Sequence, residues 1–527
     1  MLRNLQKHAT AITFVLIALW YLTSVNKGPD VNRYNKDDGS HFVVLGYNLA
    51  NYSQYSTDTY VTSSNKMSQH GTWPPLYPAI LATVINFFGF KLNALKYVNV
   101  CAGLCNLVIT FYILRNLTGS LEEENHRIRK WVPHLVCLFT ALSPAYIVYS
   151  QGTMMEVGFM LLTNACLLLL LKQGGTLRSG ATGMMASLAF LYRPYAVFLL
   201  PSLLITSTQL SFADRIPKVK NLLACAIPLL LTVATWTIYS KSVANSPRVD
   251  YVTQRFGATS TLLERAKDEN LVPKFISDLR YFHLPAVAEL LAPFAYDDVY
   301  NDANHLIPTA VVSLTLLFLF LLGSWIATTK STKIGCCNQL TVLSWILCGV
   351  TLQVIRPSAL SQEPRYWLTY FPFILFYALI ASASLLQKIF SQRSVTTAFP
   401  FAIFSLCAAN FVCGVFYDRN PRFRSQYHKD VALALGNIST KLSPNALVIS
   451  NCPHITFAGT GKSSLAVNQV SRFGLKNLMN KHEIFILRGD ESSDDSVVLG
   501  DPKAISAEPF ADFGSVTLER IVTYNEK

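Results

Sequence analysis

The chain has 527 residues, of which 51% are hydrophobic and only 14% charged, and its mean hydropathy is +0.32. A soluble protein of this length carries about a quarter charged residues, so composition excludes an ordinary globular enzyme and points to a polytopic, helical membrane protein. The formal charge of +13 is read through the rule that basic residues gather in cytoplasmic loops, not as a nucleic-acid surface.

The N-terminus carries Arg3 and Lys7 ahead of an apolar run, Ala9 to Val25, with no small-residue cleavage site after it. A retained first span is expected, not a removed signal peptide. Further spans are expected at about 93–114, 131–149, 155–172, 180–194, 195–209, 220–240, 307–327, 340–357, 366–387 and 397–417, about eleven transmembrane helices with the first. The segment 76–90 is short and interrupted by Asn86 and Gly89, so it is expected to lie on the outer face. With the N-terminus cytoplasmic, every inner loop then carries basic residues: Arg115, Arg127, Arg129 and Lys130; Lys172 and Arg178; Arg215 and Lys218; Lys330 and Lys333; Lys388 and Arg393. The two spans flanking Arg193-Pro194 are short for a bilayer and must be thinned or broken there.

Residues 1–417 thus form an all-α membrane domain, with long external loops at 26–92 and 241–306. Residues 418–527 change character. They are polar, with short β-like runs at 446–450, 483–487, 496–499 and 515–518 and a helical pattern near 427–440, as in a small extracytoplasmic α/β domain. Most of the eleven cysteines lie inside apolar runs; Cys336-Cys337 are adjacent and Cys452 is alone, so neither a disulfide framework nor a zinc site is indicated.

All residues with chemical promise fall on the outer side of this topology. Asp37 and Asp38 open the first external loop, where a carboxylate can deprotonate a hydroxyl or hold a divalent cation. Asp-Asp-Gly is equally good turn chemistry. Phe42, Leu45, Leu49 and Tyr52 follow at helical spacing, which places Asp38 near a helix N-terminus, where a carboxylate is favoured. Glu156 lies where one span ends and the next begins; an acid there needs a partner or water. Arg193 stands alone in an apolar stretch and calls for an anion: a phosphate, which suits its fork geometry, or an ion pair with Glu156 or Asp38. Arg356, Arg365 and Tyr366 form a second cationic corner, equally readable as an interfacial anchor. His41, His70, His283 and His305 lack metal-site spacing and suit polar contacts. Gly459-Thr-Gly-Lys-Ser463 resembles the end of a phosphate loop, but the glycine required at position 456 is Thr456. Asn51 and Asn437 head glycosylation sequons.

Taken together, these pieces resemble the polyprenol-phosphate-dependent glycosyltransferases of the C fold type, in the branch of bacterial protein-mannosyltransferase-like and aminoarabinose-transferase-like proteins. The resemblance rests on Asp38-Gly-Ser-His-Phe, Pro74-Pro75-Leu-Tyr-Pro78, Ser143-Pro144 with Thr153 and Glu156, Tyr192-Arg193-Pro194, Pro364-Arg365-Tyr366, and the Leu442-to-Asn451 stretch of the tail. It implies Asp38 as catalytic base, Glu156 as a second acid, and Arg193 and Arg365 beside the lipid phosphate. The aminoarabinose branch has an acid-lysine pair where this chain has Thr72-Trp73, so its sugar and any metal need not carry over.

The expected activity is therefore transfer of a sugar from a polyprenyl-phosphate donor to a hydroxyl of a glycan, lipid or protein acceptor. It would occur at the outer face of a bacterial plasma membrane, with inversion at the anomeric carbon and Asp37, Arg356 and Tyr366 in support. No cofactor is required by the residues; a divalent cation is the one the resemblance leaves open. The rival is a transporter or flippase, in which Glu156 and Arg193 would line a substrate path; such proteins often show related halves, and none is visible.

Overall fold

In a computed structural model, the described residues are 14–25, 38–60, 67, 69–71, 73–121, 126–172, 175–209, 215–243, 287, 290–291, 306–355, 365–390, 400–409, 412, 435, 437–438, 441–450, 453–466, 470, 475–489, 505–512 and 516–524. The membrane part is a bundle of helices: α1 (Phe14–Thr23), α2 (Asp38–Tyr52), α3 (Leu76–Phe88), α4 (Leu92–Gly119), α5 (His126–Leu142), α6 (Pro144–Gln151), α7 (Glu156–Leu171), α8 (Thr176–Tyr192), a 3₁₀ segment (Pro194–Leu199), α9 (Leu200–Gln209), α10 (Arg215–Val243), α11 (Leu306–Thr329), α12 (Lys333–Ile355), α13 (Arg365–Leu368), α14 (Phe371–Ile389) and α15 (Pro400–Ala409). Among the described residues five helices are long and apolar enough to cross a bilayer, and six if one bent pair counts as a single span. The remaining expected spans coincide with shorter apolar helices, so the count of eleven is not reproduced by length alone.

The bent pair is α5 and α6, where one straight span over 131–149 was expected; the helix turns by 62°. The cause is local. Pro144 has no N–H to continue the helix and pushes Ser143 into extended geometry, φ −66° and ψ 127°. The same chemistry breaks the chain between α8 and the 3₁₀ segment. Arg193 is extended (φ −156°, ψ 127°) ahead of Pro194, so its side chain leaves the helical track. Both breaks deliver polar groups into an otherwise apolar bundle.

Helix α3 has 13 residues, about 20 Å at the helical rise, too short to cross hydrocarbon. Its buried residues, Tyr77, Pro78, Leu81, Ala82 and Ile85, lie at helical spacing, while Phe87 and Phe88 face outward. Helix α2 packs closely on it: a methyl carbon at Gly46 would sit 2.8 Å from Leu81 Cβ.

The C-terminal residues form a five-stranded mixed sheet, β1 (Ala446–Ser450), β2 (Ser463–Ala466), β3 (Glu483–Gly489), β4 (Ile505–Asp512) and β5 (Val516–Tyr524), in the order β2-β1-β3-β5-β4. The first three are parallel and the last two antiparallel. The central strand β1 is buried throughout. Its side chains alternate between two cores, Ala446 and Val448 toward Leu435, Ile455 and Phe485, and Leu447 and Ile449 toward Leu465, Leu478 and Ile484. Strands near 446–450, 483–487 and 515–518 match the expected runs. β2 and β4 are additional, and the run 496–499 lies outside the described residues, as does most of 427–440.

This domain rests on the membrane helices through α16 (Pro453–Thr460), which packs on α2. Phe457 meets Tyr47 at 4.9 Å and Phe90 at 5.9 Å between ring centroids. The first loop also joins the domain. Thr59 exchanges two hydrogen bonds with the backbone of Ser464 in β2, and Tyr60 enters the core beside Leu447.

Within the bundle, α11 and α14 approach until Gly323 lies against the Tyr377 backbone, where a methyl carbon would fall 1.8 Å from the carbonyl oxygen. Gly323→Ala is expected to force these helices apart and lower thermal stability in detergent. Gly180→Ala on α8, where no atom lies within 4 Å, should leave the melting temperature unchanged or raise it slightly.

Candidate active site

Buried polar side chains inside an apolar bundle hold helices together because each must find a partner. Here they form a ladder joining α4, α6 and α7. Asn164 Nδ2 donates to Asn106 Oδ1 at 2.8 Å and Thr110 Oγ1 at 3.1 Å; Asn106 Nδ2 donates to Tyr146 Oη, which donates in turn to the Gly103 carbonyl. Higher on α4, Asn99 Nδ2 donates to the carbonyls of Gly152 and Met154. The turn from α6 into α7 is thereby clamped to α4, and the first residue of α7 is Glu156.

Glu156, Arg193 and Arg365 meet there. Arg193 Nη1 donates to Glu156 Oε1 at 3.0 Å, and Arg365 Nη1 lies 3.8 Å from the same oxygen. The residues are 1%, 5% and 6% exposed, so none reaches bulk water. Two guanidiniums and one carboxylate leave one positive charge in this place. Tyr366 has both guanidinium carbons near its ring, at 4.9 Å for Arg193 and 5.1 Å for Arg365, and Tyr195 lies 5.0 Å from Arg193; the aromatic faces further stabilise the cations. The position of Arg193 depends on a glycine two residues beyond Glu156. The Tyr192 hydroxyl fills the space over Gly158, where a methyl carbon would sit 2.1 Å from it.

Helix α2 begins against the same turn: a methyl carbon at Gly39 would lie 2.8 Å from Thr153 Oγ1. Asp38 is its first residue, and the Asp38 side chain lies outside the described residues, as do Asp37 and Arg356. The structure thus brings Glu156, Arg193, Arg365 and Tyr366 into contact and starts α2 three residues from Glu156. The ion pair left open for Arg193 is formed with Glu156, whose Oε1 faces guanidiniums.

Beside this centre three histidines gather where α16 meets the first loop. His41 lies 3.6 Å from His454 and 5.3 Å from Trp73 between ring centroids, and His70 stacks on Trp73 at 4.7 Å. His454 Nε2 is 3.1 Å from the Thr57 carbonyl, and Tyr55 Oη donates to the carbonyls of Trp73 and Pro74. His454 and Lys96 were not among the sequence candidates. Lys96 is fully buried on α4, one turn from Asn99; its signal was a lone cation in an apolar run, the same that singled out Arg193. His454 had no such signal, because its neighbours are distant in sequence. His283 and His305 lie outside the described residues. Among the described residues no three histidine, cysteine or carboxylate side chains converge where a metal ion could be held.

No protein-family model matches the chain, and no curated protein matches it. Among solved structures the chain is similar to ArnT from Cupriavidus metallidurans bound to undecaprenyl phosphate, with a TM-score of 0.59 at 10% identity over 97% of each chain. It is also similar to the apo form of the Archaeoglobus fulgidus oligosaccharyltransferase, with a TM-score of 0.51 at 11% identity over 95% of this chain and 73% of that one. At these identities the likeness is one of fold, and it extends over the membrane helices and the C-terminal domain together.

The histidine cluster carries a pH dependence. Burial, and after it the neighbouring His41 and His454 rings, push His70 down to about 4 from an ordinary 6.5. Its Nε2 accepts the Trp73 backbone N–H at 3.2 Å, a bond only the neutral ring can make. Between these two values the unfolded chain binds the additional proton, so stability falls as pH drops from 6.5 toward 4 and levels below. His70→Gln, which keeps an acceptor for Trp73, is expected to flatten this fall; melting temperatures in detergent at pH 7.5 and 5 measure it.

Proposed function

With the C-type transferase fold as premise, we propose that the chain is a membrane glycosyltransferase moving a sugar from a polyprenyl-phosphate donor to an acceptor hydroxyl. The observation that carries this reading is the buried Glu156–Arg193–Arg365 cluster, with its surplus positive charge, beside the helix that Asp38 opens. A buried cation surplus is costly unless an anion visits it. ArnT, whose fold this chain shares, was solved with a lipid phosphate bound, and such a ligand supplies the missing charge.

In the proposed reaction Asp38 accepts the proton of the acceptor hydroxyl as its oxygen bonds to the anomeric carbon. The bond from that carbon to the phosphate oxygen breaks, and its electron pair leaves on the polyprenyl phosphate. A single displacement inverts the anomeric centre. Arg193 and Arg365 stabilise the charge growing on the leaving oxygen, and their fixed geometry means little reorganisation is required at that moment. Arg356 and Tyr366 complete the donor seat and Asp37 supports the base. The chemistry is written with side chains alone. The acceptor is a glycan, lipid or protein hydroxyl, the lipid tail lies among the membrane helices, and the site faces away from the cytoplasm, as loop charges favour.

Purified protein in detergent, given a sugar-loaded polyprenyl-phosphate donor and an acceptor extract, should release polyprenyl phosphate without any ion gradient. Vesicles that move the intact donor across the bilayer without releasing it would replace the transferase with a transporter. Asp38→Asn is expected to lower transfer by about 10²–10⁴-fold while donor binding persists. Arg193→Lys keeps the charge but loses the fork, and should raise the donor KM with a smaller change in kcat.

A further inference from the structure

Both arginines address the same carboxylate oxygen, at 3.0 and 3.8 Å. The other, Glu156 Oε2, is buried without a hydrogen-bond partner among the described residues. A carboxylate retained only to hold two helices together would normally find donors for both oxygens. Its effect on charge is plainer: it reduces two positive charges to one, in a place shielded from water where a unit of charge matters.

The donor and the lipid product differ by one unit of charge. A sugar linked through phosphate to a polyprenol is a phosphodiester with a single negative charge. Once the sugar has left, the lipid keeps a phosphomonoester, whose second proton is lost near pH 6, so that it carries close to two negative charges above neutrality. One surplus positive charge balances the donor and leaves the product over-charged. Two would balance the product and hold it in place.

We propose that Glu156 is a specificity-determining and positioning residue that matches the arginine pair to a phosphodiester and promotes release of the phosphomonoester; this rests on the donor reading given above. Glu156 acts on the phosphate through Arg193 and Arg365, and its carboxylate takes no part in bond making.

Charge interaction scales with the product of the charges, so each unit added to or taken from the cluster alters binding of the monoester twice as much, in logarithmic terms, as binding of the diester. A change of about tenfold for the diester should accompany about a hundredfold for the monoester. The test measures binding of undecaprenyl phosphate and its methyl diester to the purified full chain at pH 8. Four proteins form a charge series: wild type, Glu156→Gln, Arg365→Gln and the double variant. The monoester-to-diester affinity ratio is expected to rise about tenfold in Glu156→Gln, fall about tenfold in Arg365→Gln, and return to the wild-type value in the double variant.

A ratio that stays constant across the series, with both lipids binding, would overturn the role of Glu156 and leave the donor site standing. Failure of wild type to bind either lipid, or affinities for both unchanged in Arg365→Gln, would remove the donor reading itself. Should Glu156→Gln not fold, Arg365→Gln and the double variant decide the matter through the fall and recovery of the ratio.

Discussion

A charge removed from water must be met by another charge, or by dipoles fixed in place. In this chain that constraint acts on Arg193, Glu156 and Arg365 together. Arg193 is presented by a break before Pro194, and Glu156 by the turn after the Pro144 bend. Arg365 opens the short helix α13. Three discontinuities in the helical bundle therefore converge on one point. The asparagine ladder and the filling of Gly158 by Tyr192 keep that point from collapsing or drifting. A bundle of uninterrupted apolar helices would be easier to build and would have no such centre.

How much of this was readable from the residues follows from what kind of information each feature carries. Arg193 was conspicuous because a lone guanidinium in an apolar run is costly wherever it lies, and the same logic marked Glu156. Which anion met which cation was open, since partners separated by 37 residues leave no trace in spacing. The bend at Ser143-Pro144 could have been read from the proline, but a long apolar run over 131–149 outweighed it. Strands β1 and β3 were legible as dense apolar runs. β2, Ser-Ser-Leu-Ala, and β4, which includes Pro509, owe their pairing to neighbours and not to propensity. His454 shows the limit: a histidine in a polar tail becomes part of a three-histidine contact only through the docking of α16 on α2.

That docking also explains why the C-terminal domain and the candidate centre belong to one mechanical unit. Helix α2, which Asp38 opens, is pressed between α3 on one side and α16 on another, with Tyr47, Phe90 and Phe457 interlocked at the seam. A shift of the domain would be felt first at α2, and so at the turn before Glu156 against which α2 begins.

The hydrogen bonds between Thr59 and Ser464 join residues 405 positions apart, and Tyr60 completes a core otherwise made of residues beyond 446. During synthesis the first loop must therefore wait, unsatisfied, until nearly the whole chain has been made. The sheet, for its part, is missing a wall until that loop arrives. The C-terminal hundred residues are thus not a detachable module: assembly of this protein closes like a ring, with its earliest external segment as the clasp.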